Sequence, residues 1–123
     1  VRTSEHAIEK LHNEWVGNLL AYEEELNLIN TVTRQLQSTV NDLQFVEELH
    51  QLRTKILFQT SVVEALSLEV SNLRKRFAEH DDRKVLNIAD LIENNRFRDK
   101  LRKTEQQIFM FKYQVNKFLS IAS

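Results

Sequence analysis

Apolar residues recur along this chain in steps of three and four. From Trp15 they run Trp15, Leu19, Tyr22, Leu26, Ile29, Leu36 and Val40, with Thr33 in the one gap, and Ile8 and His12 extend the phase upstream. Such a stripe keeps one face of a helix turned toward partners. The spacing predicts a helix from about Ser4 to Thr39. A second stripe, Leu49, Leu52, Ile56, Val63, Leu66, Val70, Leu73 and Phe77, has Gln59 in its polar slot and predicts a helix from about Asp42 to Glu79. The turn between them is expected at Ser38–Asp42. Asn41 with Gln44 three residues on has the spacing of a capping box, and Asp42 is a rival cap.

The third stripe is regular from Phe97 through Leu101, Thr104, Ile108, Phe111, Val115, Phe118 and Ala122. Val85, Ile88 and Ile92 are out of phase with it. A kink, a stutter or a short separate helix over about Asp82–Glu93 is therefore expected, with the slip at Asn94-Asn95. Either Asp81 or Asp82 suits the N-cap of this segment.

Three stripes of similar length, joined by short turns, predict an all-α fold: an antiparallel up-down-up bundle of three long helices with coiled-coil-like packing. One domain covering 1–123 is expected at this length. The rival arrangement is a helical hairpin that dimerises. Composition favours helices, because the chain has one glycine, Gly17, and no proline, the residues that tight β turns need. Apolar residues make up 41% and charged residues 28%, enough to bury a core and remain solvated. By this register Gly17 faces outward, where it costs about 1 kcal/mol relative to alanine. Trp15, Phe58 and Phe77 are expected in the core or at its edge.

The absence of cysteine excludes disulfides, thiolate catalysis and cysteine-ligated zinc. No stretch has the ~18 uncharged apolar residues of a membrane span, and the N-terminus has no signal-peptide pattern. Beginning at Val1 rather than Met, the chain is expected to be trimmed or a fragment. Charge is graded along it: net −3 over 1–41, −1 over 42–80 and +3 over 81–123. An acidic first helix beside a basic third favours the bundle, although each exposed pair contributes only about 0–1 kcal/mol.

Candidate chemistry is sparse. Glu9-x-x-His12 and Glu47-x-x-His50 each have the spacing of a di-iron carboxylate motif. With the chain turning near residue 41, however, His12 should face the neighbourhood of residue 70. The two motifs then stand about 30 Å apart, whereas dinuclear metals need about 4 Å. Such a site is conceivable only between subunits, and both histidines are expected to be solvated or at a rim. His6 and His80 should share one end of the bundle with Glu5, Asp81 and Asp82, as polar groups around a loop. The run Arg96–Lys103 has five basic residues in eight, but Asp90, Glu93, Asp99 and Glu105 dilute it. A solvated face partly paired with the first helix is expected, and not a nucleic-acid footprint. No cofactor, metal or catalytic group is expected.

The C-terminal stretch is different. Ile108, Phe111, Val115 and Phe118 complete the stripe, which leaves Phe109, Met110, Tyr113 and Leu119 wrapping beyond it. A helix apolar on more than one side usually buries more than one side. Phe45 and Val46 should reach this end and cover part of it. The rest is a candidate surface for self-association or a protein partner.

His50 with Arg53 is similar to the exposed histidine and basic residue of histidine phosphotransfer domains, but Thr54 stands where that family has glycine. The resemblance would make His50 the phosphoacceptor. Trp15, early in the first of three helices, resembles spectrin-like repeats in architecture. Leu11-His12-Asn13-Glu14-Trp15 and Phe118-Leu119-Ser120 resemble the opening and closing elements of a group of short, uncharacterised bacterial helical proteins. That likeness spans most of the chain. It implies a cytoplasmic bacterial bundle and supplies no activity. The expected function is a non-enzymatic scaffold or protein-interaction module. A regulatory bundle using His50 and an inter-subunit carboxylate–histidine metal site are the alternatives.

Overall fold

The computed structural model describes residues 2–39, 41–79 and 88–122, without the side chains of 2–6, 79, 88 and 122. It is an all-α bundle of three helices, α1 (Arg2–Thr39), α2 (Leu43–Glu79) and α3 (Ile88–Ala122), each packed against the other two. They run up, down, up, and each is roughly 55 Å long at helical rise. No helix among the described residues is long and apolar enough to cross a membrane.

The ends of α1 and α2 form without glycine or proline because hydroxyls and a carboxylate serve the terminal backbone groups. Ser38 Oγ donates to the Gln35 carbonyl (2.7 Å) and Thr39 Oγ1 to that of Leu36 (3.0 Å), two carbonyls of the last turn of α1. Asp42 is the N-cap of α2. Its Oδ1 accepts from the Gln44 N–H at 3.0 Å, and its carbonyl accepts from Val46 N–H at 2.9 Å. The carboxylate of Asp42, and not the side chain of Asn41, therefore settles the cap.

The stripes form the core. Trp15, Leu19, Leu26 and Ile29 of α1 meet Leu52, Ile56, Val63, Leu66, Val70 and Leu73 of α2, and Phe97, Leu101, Ile108, Phe111 and Val115 of α3. Trp15 packs on Phe97 with ring centroids 4.8 Å apart. At the other end Phe45 meets Phe118 edge-on, also at 4.8 Å. Two polar slots fall together in the core, where Gln59 Nε2 donates to Thr104 Oγ1 at 3.3 Å.

Three expectations are corrected. The third helix runs unbroken through Asn94-Asn95, so no separate short helix precedes the stripe over 88–93. Asn94 itself occupies the stripe position three residues before Phe97 and is buried, while Ile92 is off the stripe and exposed. The phase thus continues through a polar residue that an apolar count skips. Val85, Asp81 and Asp82 lie outside the described residues. Phe58 is not core: at 69% exposure it stands outside the stripe beside buried Gln59. Finally, residues face one another across α1 and α2 in a shifted register. His12 meets Phe77, and Arg53 donates to Gln37. Side chains lean toward the N-terminus of their own helix. On antiparallel helices the two leans are opposed, which accounts for about two residues of this shift.

Candidate functional site

The His12 end of the bundle holds its most specific polar contact. His12 is a stripe residue, 2% exposed, and its ring lies among Trp15 (5.4 Å) and Phe77 (5.9 Å, edge-on). The expectation of a solvated or rim His12 is overturned, because its stripe position places it inside. Asn94 Oδ1 lies 2.7 Å from His12 Nε2, and Asn94 Nδ2 donates to the Asp90 carbonyl at 2.7 Å. That second bond fixes which end of the amide is oxygen. Nε2 must therefore be the donor, and the neutral ring is the Nε2–H tautomer. Burial pushes the imidazole below its ordinary pKa of 6.5, with Arg74 adding to this. The Asn94 bond and Glu9 oppose it. A neutral imidazole and a neutral amide then satisfy each other, an arrangement that aligns α1 with α3.

His50 lies toward the opposite end, exposed on α2. In the observed register the two Glu-x-x-His motifs stand about 40 Å apart, further than the symmetric count gave. The guanidinium of Arg53, the basic partner of a phosphotransfer reading, is turned to Gln37 on α1. Among the described residues no three His, Asp or Glu side chains are grouped to hold a metal. The His6 side chain, His80, Asp81 and Asp82 lie outside the described residues.

The basic run of α3 is spread around its helix. Lys100 pairs with Glu69 of α2 at 3.1 Å, so among the described residues the ion pair of this segment is with the second helix. The first and third helices are joined instead by Lys112 with Glu25 (3.0 Å), and by Tyr22, whose hydroxyl donates to Glu105 at 2.8 Å. Burial and the Glu105 carboxylate push the Tyr22 phenol well above its ordinary range, so it stays a donor.

Of the four candidate surface residues, Phe109 is 73% exposed, Met110 53% and Tyr113 63%. Tyr113 follows Phe109 by four residues and Met110 by three, which keeps the three on a single outer face of α3. Lys117 continues the face, with its ammonium 5.8 Å from the Tyr113 ring. Leu119, 41% exposed, follows buried Val115 by one turn and stands at the edge between the core and solvent. Phe45 covers Phe118 and leaves the outer face open.

One feature escaped the sequence reading. Between α2 and α3 runs a groove of about 630 Å³, floored by Val62, Leu66 and Phe111, with Phe58 as a wall and Lys55, Lys100 and Lys103 at its rim. The available signal was Phe58, one position off a stripe whose slot Gln59 already filled.

No protein-family profile, no curated protein and no solved structure matches this chain.

Proposed function

We propose that the chain is a non-enzymatic helical-bundle scaffold that associates through the outer face of α3. The observation that carries this reading is the stripe Phe109–Met110–Tyr113, exposed on a helix whose opposite side already fills the core. Each ring exposed to water forgoes a transfer free energy of about 1.5–3 kcal/mol that contact with another apolar surface recovers. Aromatic and methionine side chains are also the types enriched at protein interfaces. Supporting it further, the titratable groups with shifted environments among the described residues, His12, Tyr22 and Arg76, are engaged in helix-to-helix contacts. The likeness to short bacterial bundles is consistent with a cytoplasmic setting.

The experiment is light scattering on wild type and on Phe109→Ser/Tyr113→Ser at matched concentrations, with circular dichroism alongside. Self-association through this face gives a lower mass for the variant at unchanged helix content. A wild-type protein that stays strictly monomeric at high concentration contradicts the self-association reading.

A further inference from the structure

The α2/α3 groove is chemically unlike the outer face of α3. Its floor is apolar, made by half-buried Val62 with buried Leu66 and Phe111. Phe58 stands along it, exposed, although a ring of that size gains most by being covered. The charged residues that line the groove are cationic. Lys55 lies toward one end, and Lys100 and Lys103 toward the other, since the two helices are antiparallel. Lys100 is neutralised by Glu69. Lys55 and Lys103 have no ion-pair partner among the described residues.

We propose that this groove receives an acidic amphipathic helix of a partner protein, which becomes the fourth helix of the bundle. A groove between two helices, apolar below and charged at its edges, is the receptor half of helix-in-groove recognition. The two-ended distribution of lysines selects the ligand. A single carboxylate, as on a fatty acid, meets only one end, whereas a helix with acidic residues flanking its apolar stripe meets both. The same lysines oppose a second copy packing groove to groove, because like charges would be brought together in a desolvated seam. The outer face of α1 is acidic, with Glu24 between exposed Leu20 and Leu28. It lies across the bundle from the groove, so its entry into another copy would link chains head to tail, into a ring or a filament rather than a two-fold dimer.

This inference rests on the reading of the chain as an interaction module, but it uses a different face and a different partner. The test is fluorescence anisotropy with a labelled peptide about 18 residues long, leucine on one helical stripe and glutamate on the flanks. A second peptide keeps the leucines and replaces every glutamate with lysine. The glutamate peptide is expected to bind saturably and to weaken with added salt. Phe58→Ser should weaken it about tenfold at unchanged helix content, and Lys55→Glu/Lys103→Glu should reverse the preference between peptides. Equal binding of both peptides, binding of neither, or indifference to Phe58→Ser overturns the proposal. So does sedimentation showing an unliganded oligomer that Phe58→Ser dissociates, since a second copy would then fill the groove. Phe109→Ser/Tyr113→Ser leaves the groove intact, so failure here is distinguishable from failure of the α3 face.

Discussion

His12 and Asn94, 82 residues apart in sequence, meet inside the bundle with Nε2 and Oδ1 at 2.7 Å. Each is a polar occupant of a mostly apolar stripe, and each would be costly to bury alone. Asn94→Leu removes the acceptor and leaves the imidazole N–H without a partner. A loss of about 1–3 kcal/mol in unfolding free energy is expected by urea denaturation. The double variant His12→Phe/Asn94→Leu should recover part of that loss. A single variant as stable as wild type would show that the bond contributes nothing.

The same pair sets a pH dependence. Around His12 stand Glu9 on its own helix, Arg74 on α2 and Asn94 on α3, and the net result is a pKa below 6.5. Below about pH 6.5 the unfolded chain then binds a proton that the folded chain refuses, so stability falls with falling pH. The fall should level off beneath the folded pKa. Chemical denaturation across pH 5–7.5 on wild type and His12→Phe checks this, with the variant losing this component of the slope. Asn94→Asp should shift the midpoint of the His12 ring resonance upward, because a carboxylate stabilises the imidazolium.

Gln59 and Thr104 form a second buried pair, at 3.3 Å. Thr104→Val strands the Gln59 amide and is expected to cost about 1–2 kcal/mol. Gln59→Leu/Thr104→Val replaces both with apolar groups and should fall near or above wild type. The comparison is read from denaturant midpoints. Additive losses in the double variant would contradict the pairing.

Gly17 lies on the exposed side of α1, and a Cβ built there meets nothing within 4 Å. Gly17→Ala should therefore raise stability by about 1 kcal/mol through helix propensity alone. A stability loss in thermal melts would mean that another surface packs against this glycine.

Much of this fold was legible because the stripes are strong. Leu26, Leu49, Ile56 and Val63 are fully enclosed, as their spacing requires. The errors have a common physical origin, that polar residues can hold stripe positions when a partner helix answers them. An apolar count that follows Ile92 meets a break at Asn94, and the polarity of His12 points to a solvated or rim position although its phase points inward. Their pairing depends on how α1 is set against α3, which no local pattern carries. Phe58 misled in the opposite sense, since its size suggested core while its phase placed it outside. The lysine-rimmed groove needed α2 and α3 side by side before Lys55 and Lys103 had any relation.

The most direct test of the account is one distance. The chain has no cysteine, so Ser38→Cys/Ser120→Cys accepts two spin labels cleanly, one near the end of α1 and one near the end of α3. Electron paramagnetic resonance on labelled protein diluted in excess unlabelled protein then reports the distance within a single chain. Three helices folded up, down, up give about 15–30 Å, as neighbouring axes lie about 8–10 Å apart. A single rod made of the second and third helices would place the labels about 100 Å apart at helical rise. Loss of the short distance on dilution would contradict the bundle.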